Sequence, residues 1–275
     1  MLGRQRRHHK AMQKIIANTK ENKNPFADVN FPRRPARCKI KVNFANEKHR
    51  AISAVENCLY DAFLILNIAA PGSCSFFGAS LTGHFYEPSI SLSNTNFELA
   101  LLTARNKFWP PIRMLSLETV LRWFKTVRNS GHQIPQNPME RVFFALWHIA
   151  KGDMSQVDVI WLFYAFESLL QTHVGENFSS LVRRFSLLLE PKEREVKLLK
   201  TGLRKLYDIR NAIVHGGFEI AHPMHDEYLD PRVNQNFNRL SEATDFGNAL
   251  LLAAIHKCIV MGWPYPSFEE TLRSK

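Results

Sequence analysis

The sequence predicts a mainly α-helical protein, with an all-α bundle in its C-terminal half and a mixed α/β region before it. After Pro138, apolar residues recur at helical spacing in nearly every segment, and most connections are short. Before Pro138, helical segments alternate with stretches rich in Ser, Gly and aromatic residues, which favour short strands and turns. The 275 residues, of which 45% are hydrophobic, can form one large domain or two ordinary ones.

The net charge of +11 lies entirely in the first fifth of the chain. Residues 1–50 contain 14 Lys and Arg against 3 Asp and Glu, whereas residues 51–275 contain 22 of each. A basic segment of this kind attracts polyanions, above all nucleic acid, through phosphate contacts. The alternative is a solubilising tail without a specific partner. We predict that residues 1–36 are a basic, largely non-globular segment, in which residues 10–20 have the pattern of a short amphipathic helix.

The sequence pattern of residues 37–135 predicts a mixed α/β region of unknown role. Residues 37–44 alternate basic and apolar side chains, as an edge strand does. Helical spacing predicts a helix over about 47–69, ended by Pro71-Gly72. Residues 72–96 are rich in Ser, Gly and aromatic residues and favour one or two short strands with turns.

Two more helices are predicted before a linker. Residues 97–109 form the first, which ends at Trp109-Pro110-Pro111. Ser116 is a suitable N-cap for the second, which runs to about Val127. The segment NSGHQIPQNP, Asn129–Pro138, contains two prolines and a glycine and is the best linker candidate in the chain. We therefore place a domain boundary there.

Residues 139–262 predict an all-α domain, followed by a C-terminal tail over 263–275. The predicted helices cover residues 139–151, 153–173, 177–190, 192–215 and 238–262. Asp153 can cap the second of them, which is apolar on nearly all sides and is therefore expected to be central and buried. A loop of about twenty residues precedes the last helix, and a loop of that length in a compact domain is often functional.

Several classes of protein are excluded or disfavoured. The four cysteines lie far apart without a CxxC pair, which argues against a zinc ribbon or a disulfide scaffold and fits a reducing cytoplasm. The basic N-terminus lacks the apolar stretch of a signal peptide, and charges interrupt the longest apolar runs, so no membrane span is expected. The chain contains no Gly-rich phosphate loop, no GxSxG and no HExxH. We expect a cytoplasmic protein without a cofactor or a metal.

The densest group of chemically able side chains lies in LYDIRNAIVHGG, residues 206–217. It contains Arg210, Asn211 and His215 and stops on two glycines, as helices often do. On an ideal helix of about 100° per residue, one polar stripe and an opposite apolar face appear. The stripe consists of Lys197, Lys200, Arg204, Asp208, Asn211 and His215, and the apolar face of Leu199, Leu203, Leu206 and Ile213. For the lysines alone, a solvated helix face is the better account of this pattern.

Arg210 does not fit a simple solvated face, because it lies among the leucines, about 140° around the helix from His215. An arginine there is costly unless it snorkels, meets a carboxylate or faces another subunit. Glu167, in FYAFESLLQ of the preceding buried helix, is the expected partner. The alternative is an ion pair with a purely structural role.

These residues resemble the HEPN superfamily, and within it the Apea-like HEPN domains. The resemblance covers roughly residues 139–262 and rests on RNAIVHG, on the preceding LYDI and on the upstream acidic position in FESLL. The superfamily motif is an arginine, usually followed by a polar residue, with a histidine four to six positions later. Arg210, Asn211 and His215 meet it with four residues between the arginine and the histidine.

The resemblance implies a metal-independent endoribonuclease that acts as a homodimer, of the kind found in prokaryotic toxin and antiviral defence systems. His215 would be the acid/base group for attack by a 2′-hydroxyl on the adjacent phosphodiester. Arg210 would bind the scissile phosphate, and Asn211 would orient the imidazole or the phosphate. Glu167 would be a supporting residue, and Lys197, Lys200 and Arg204 would bind RNA. Because DNA lacks the attacking hydroxyl, RNA is the expected substrate.

Other interpretations of the sequence stay open. A HEPN domain can also be a non-catalytic module that binds RNA or nucleotide or mediates dimerisation. A further alternative is a regulated effector, which is silent until a regulatory protein or ligand binds its N-terminal region. HPMHDE, His222 to Glu227, could bind a metal, although a structural loop is the better account of three-residue histidine spacing. Trp109, Trp123 and Phe124 are better explained as core than as base-stacking residues.

Overall fold

The structure, a computed structural model, describes residues 48–80, 89–152, 155–172, 178–222, 224 and 228–269. Within these ranges the chain forms eight α-helices and one two-stranded sheet. In chain order they are α1 (Lys48–Ala69), β1 (Phe76–Ser80), β2 (Ser89–Leu92), α2 (Thr95–Lys107), α3 (Leu117–Val127), α4 (Pro138–Lys151), α5 (Val157–Leu170), α6 (Phe178–Leu189), α7 (Glu193–Val214) and α8 (Arg232–Met261). The predicted mainly α-helical class is confirmed.

Most helices begin and end close to the predicted residues, because their stop signals are local. Ser116 caps α3, and its hydroxyl accepts a hydrogen bond from the Thr119 amide at 3.2 Å. After α1, Gly72 takes a left-handed conformation with φ of 81°. The predicted strands of residues 72–96 form an antiparallel hairpin with a register shift between Phe77 and Ala79.

Two helices differ from the prediction. α5 begins at Val157 with Gln156 at the N-cap position, and it ends where Gln171 turns left-handed. The predicted cap, Asp153, lies outside the described residues, as do the predicted edge strand over 37–44 and the segment 10–20. α8 begins at Arg232, six residues before the predicted start at 238. Its first two turns are mostly exposed and polar, so the apolar periodicity that marks a helix in sequence becomes visible only near Leu240.

α8 is the central helix of the fold. From Leu240 to Ile259 it is buried in almost every position, and it packs against α2, α5, α6 and α7. Gly202 of α7 lies against the Phe246 ring so closely that a Cβ there would collide with it. By length and composition α8 could cross a membrane, but 83% of its apolar window is buried inside the protein, as in the core helix of a globular fold.

One hydrophobic core includes residues from both sides of the predicted boundary at 135–139. Phe124 of α3 stacks on Phe143 of α4 with ring centroids 4.7 Å apart, and Trp123 meets the same ring edge-on. Trp109 is also buried, so the three residues considered as base-stacking platforms are core residues. The described residues all belong to one compact unit. The sequence regions on either side of Asn129–Pro138 therefore share their packing.

Candidate functional site

The motif residues lie at the C-terminal end of α7. This helix starts with Glu193 and Glu195 in its first turn, and the Glu195 carboxylate accepts a hydrogen bond from the Lys192 amide at 2.7 Å. It ends at Val214 with His215 at the C-cap position, after which Gly216 turns left-handed with φ of 73°. The amides of Gly216 and Gly217 then donate to the carbonyl oxygens of Ile213 and Ala212. This closing pattern requires the Gly216 backbone, and it fixes the position of His215 on the surface.

Arg210 and Asn211 form a pair just before the end of the helix. Arg210 Nη1 donates a hydrogen bond to Asn211 Oδ1 at 3.1 Å. The guanidinium also lies 5.9 Å from the centroid of the Phe163 ring in α5, at the outer limit of a cation–π contact. Both side chains are half-buried. The guanidinium is thus held on the side of α7 that faces α5, with part of its surface open to solvent.

His215 is exposed and lies on a different side of the helix end. The two positions differ by about 140° around an ideal helix and by about 7 Å along it. Arg210 and His215 of one chain therefore do not converge on one point in the way that a single-chain catalytic pair does. Each instead faces a separate part of the surface around the end of α7.

Glu167 does not pair with Arg210 in the structure. Its side chain is exposed on α5, and no ion pair or hydrogen bond joins the two side chains in the part of the chain that the structure describes. The Arg210 guanidinium contacts Asn211 and the Phe163 ring instead of the predicted carboxylate. The buried acidic residue of α5 is Asp158, in its first turn, which the sequence argument did not consider.

The predicted RNA-binding residues all lie on the exposed face of α7. Lys197, Lys200 and Arg204 are exposed, while Leu199, Leu203 and Leu206 on the opposite face are fully buried. The Arg204 guanidinium is 3.8 Å from the centroid of the Phe178 ring of α6. Asp208 is exposed on the same stripe, between these cations and His215. The last cation lies eleven residues before His215, which is about 16 Å along the helix.

The sequence argument missed a buried charged cluster between α1 and α4. Arg128 Nε donates to Asp61 at 3.2 Å, and its Nη1 donates to Glu140 at 3.4 Å. Ser130 donates to the other oxygen of Asp61, and His132 Nδ1 lies 3.3 Å from Glu140. The available signal was the N-cap pattern NPME, because the side chain of Asn137 caps α4 and places Glu140 at the third position.

Glu140 is the fully buried member of that cluster. Burial alone would raise the pKa of the Glu140 carboxyl, but the backbone amides of Gln136 and Asn129 and the guanidinium of Arg128 outweigh it and lower the pKa. The carboxylate accepts from those two amides at 2.7 and 3.1 Å. With so many partners inside the fold, the cluster holds the predicted linker against α1 and α4. We interpret it as structural.

His256 of α8 is buried and is no candidate acid/base group. Its Nδ1 accepts a hydrogen bond from the Arg113 amide at 3.2 Å, and its Nε2 is 2.8 Å from the Ile68 carbonyl oxygen. Burial lowers the pKa of His256 to about 4, so the ring is neutral at physiological pH. Both ring nitrogens are bonded to backbone groups of other segments, which leaves none for chemistry.

Metal binding has no support among the described residues. They contain no group of three or more His, Cys, Asp or Glu side chains that could hold an ion. In HPMHDE, His222 is exposed, and Pro223 and residues 225–227 lie outside the described part. Cys58 and Cys258 are free thiols. Burial raises the pKa of the Cys258 thiol to about 12, so this sulfur is not a nucleophile at neutral pH.

A cavity of about 840 Å³ lies between α6 and the segment that follows α8. Its walls include Arg183, Arg184, Leu187, Trp263, Tyr265 and Phe268. Arg184 Nη1 donates to the carbonyl oxygens of Leu170 and Gln171, at 2.8 and 2.5 Å, so these contacts help to hold α6 against the end of α5. No residue of the motif lines this cavity. It is therefore separate from the candidate site on α7.

The chain matches no protein-family model, no curated protein and no solved structure. The functional interpretation consequently depends on the residues of α7 and on their surroundings.

Proposed function

We propose that the chain is a HEPN-type, metal-independent endoribonuclease, which works as a dimer in a prokaryotic defence or toxin system. The observation that carries the proposal is the exposed end of α7, where Arg210, Asn211 and His215 follow a stripe of cations. The alternative is a non-catalytic HEPN module, for which a fully buried motif with Arg210 paired to Glu167 would be expected. The exposure of His215 favours the enzyme.

The chemistry that these groups can perform is cleavage by the neighbouring hydroxyl. His215 accepts the proton of a ribose 2′-hydroxyl, whose oxygen then bonds to the adjacent phosphorus. The bond from phosphorus to the 5′-oxygen breaks, and that oxygen takes a proton from an imidazolium. Arg210 neutralises the charge that develops on the non-bridging oxygens. The products are a 2′,3′-cyclic phosphate and a 5′-hydroxyl end.

A dimer is part of the proposal because of the geometry of one chain. Arg210 and His215 diverge around the helix end, so one phosphate contacts both groups most easily when they come from two chains. Lys197, Lys200 and Arg204 would hold the backbone of the same RNA by phosphate contacts.

The test is cleavage of single-stranded RNA by the full chain in the presence of a chelator. We expect wild-type protein to produce cyclic-phosphate ends, and Arg210→Ala and His215→Ala to lose at least about 100-fold in rate. An RNA with a single 2′-deoxy residue should resist cleavage at that position. Expression of the wild-type chain in a bacterial host should arrest growth, and expression of His215→Ala should not.

His222→Ala is the matched control, because His222 is a second exposed histidine seven residues beyond the motif. This variant should cleave like wild type. Cleavage that survives in both Arg210→Ala and His215→Ala would exclude the proposed mechanism. A wild-type chain that neither cleaves RNA nor arrests growth would favour the non-catalytic module.

A further inference from the structure

α5 presents an apolar stripe to solvent. Val157 is 53% exposed and Tyr164 38% exposed, and Ile160 and Trp161 between them are half-buried. On an ideal helix these four residues, together with Glu167, fall within an arc of about 120°. A soluble helix packed on one side normally exposes polar residues there. An apolar stripe of about two turns is therefore typical of a surface that another molecule covers.

The stripe lies next to the motif. On one side of it is Phe163, whose ring underlies the Arg210 guanidinium of α7 at 5.9 Å. On the other side, the Trp161 ring stacks on His148 of α4 at 4.1 Å, which fixes the orientation of the indole. The arc between these two contacts is the exposed surface of α5. A molecule bound to it would reach the open side of Arg210.

We propose that this stripe is the dimer interface, at which α5 packs antiparallel against α5 of a second copy of the chain. The inference rests on the proposed function, because a half-site with Arg210 on the α5 side needs a partner that supplies a histidine. A second copy supplies both that histidine and the same apolar stripe. The contact is isologous, so any pair of residues that meets on one side of the two-fold axis meets again on the other side.

The charges of the stripe fit an antiparallel arrangement. With the two-fold axis midway between Ile160 and Tyr164, these two residues face each other across the interface and Val157 faces Glu167 of the other copy. Val157 is the first residue of α5, where the helix dipole is positive, and Gln156 provides no side-chain cap. Asp158 is the acidic residue of this first turn, and the exposed carboxylate of Glu167 would add a second negative charge at the same helix end. A parallel arrangement would instead bring the two Glu167 carboxylates together.

The first experiment measures mass in solution for the full chain by light scattering over a range of concentrations. We expect wild type to be a dimer and Val157→Asp/Tyr164→Asp to be a monomer with an unchanged circular dichroism spectrum, since both positions are exposed. Leu187→Asp is the matched control, because Leu187 is 63% exposed on α6 and lies off the stripe. It should remain dimeric. A monomeric wild type, or a dimer that survives the double substitution, would overturn the inference.

A second experiment tests the register. In a chain with Cys38→Ser and Cys58→Ser, protein with Ile160→Cys is mixed with protein with Tyr164→Cys and oxidised. We expect a crosslinked heterodimer in high yield, and little crosslink when Leu187→Cys replaces either partner. Absence of the 160–164 crosslink would overturn the antiparallel register.

Cleavage separates this inference from the proposed function. Mixed Arg210→Ala and His215→Ala proteins should recover about a quarter of the wild-type rate, since half of the dimers are mixed and each has one intact composite site. If the cleavage rate no longer recovers when both proteins also carry Val157→Asp and Tyr164→Asp, the result supports the interface. A stable dimer that does not cleave RNA would support the interface and contradict the proposed ribonuclease activity.

Discussion

Arg210 donates its Nη1 hydrogen bond to the side chain of the very next residue, Asn211, at 3.1 Å. Neighbours in a helix normally point 100° apart, so this contact bends the long arginine side chain around the helix surface. The Phe163 ring supports the guanidinium from the α5 side. Together the two contacts limit the positions that the guanidinium can take, and one edge of it stays available to a phosphate.

Asn211→Ala should therefore reduce RNA cleavage without unfolding the protein. Loss of one hydrogen bond to a charged group at a half-buried site is worth about 1.4 kcal/mol, or about a tenfold drop in kcat/KM. Cleavage rates of the purified variant measure this effect. Asn236→Ala is a suitable control, since this amide also bonds within the fold, to the Glu219 carbonyl oxygen at 3.3 Å. Wild-type activity in Asn211→Ala would mean that the contact does not position Arg210.

The cations of α7 should determine how RNA affinity depends on salt. Each phosphate contact to a single strand contributes about 0.7 to the slope of log affinity against log salt concentration. Replacing Lys197, Lys200 and Arg204 by alanine should reduce that slope by about 2 if all three contact phosphates. Binding of a labelled RNA by His215→Ala, measured from 50 to 300 mM salt, avoids interference from cleavage. An unchanged slope would indicate a solvated helix face only.

Lys125→Ala, Lys257→Ala and Arg232→Ala together remove the same charge elsewhere on the described surface. This control should leave the slope close to that of the parent protein.

The sequence was sufficient for the helices and for the surface of α7, because both depend on local patterns. Apolar spacing and caps such as Ser116 predict most helix ends within a few residues. The same spacing places Lys197 and His215 on the exposed side of α7. The sequence did not predict which side chains from different helices contact each other. Glu167 was expected beside Arg210 because both were assigned to an apolar environment, but an arc of α5 faces solvent and Glu167 lies on it.

The Arg128 cluster could not be predicted for a related reason. The N-cap pattern marks Glu140 only, and Asp61 lies 67 residues before Arg128, so neither Asp61 nor Arg128 differs in sequence from an ordinary surface charge. Only the packing of α1 against α3 and α4 brings their side chains within 3.2 to 3.4 Å. Sequence periodicity describes which face of one helix is buried, but it contains no information about which helices meet.

Glu140→Gln should destabilise the fold by about 3 kcal/mol, because it leaves Arg128 with one buried carboxylate and places an NH₂ group against a backbone amide. The pKa of Glu140 is lowered in the folded state, so its stabilising effect is complete above the ordinary carboxyl range. That effect disappears as the pH falls through the lowered value. Urea denaturation should therefore show a large difference between wild type and variant at pH 7 and a smaller one in acid.

Glu118→Gln is the control for Glu140→Gln, since Glu118 forms only an exposed pair with Arg122. Its effect should be below about 0.5 kcal/mol. A Glu140→Gln variant as stable as wild type at pH 7 would show that the cluster does not hold the linker.

Asp245 of α8 should have the opposite pH dependence. The side chain is buried, with the residue 9% exposed, and Ser241 donates to its Oδ2 at 3.2 Å. Its Oδ1 has no hydrogen-bond partner among the described residues. Burial raises the pKa of Asp245 to about 7, against the bond from Ser241 and with a further contribution from the neighbouring charge of Glu242.

Because its pKa is higher in the folded state than in the unfolded state, folded Asp245 keeps a proton that the unfolded chain releases near pH 4. The contribution of Asp245 to the free energy of unfolding is fully present below that pH. It decreases by up to about 4 kcal/mol as the pH rises to about 7. Asp245→Asn carries no charge to bury, so its advantage in stability over wild type should be largest at pH 8 and fall to less than about 2 kcal/mol at pH 5. Asp208→Asn, on the exposed face of α7, controls for loss of one negative charge. Urea midpoints at pH 5, 6, 7 and 8 decide the matter, and a difference that stays constant over that range would show that Asp245 is already ionised at pH 5.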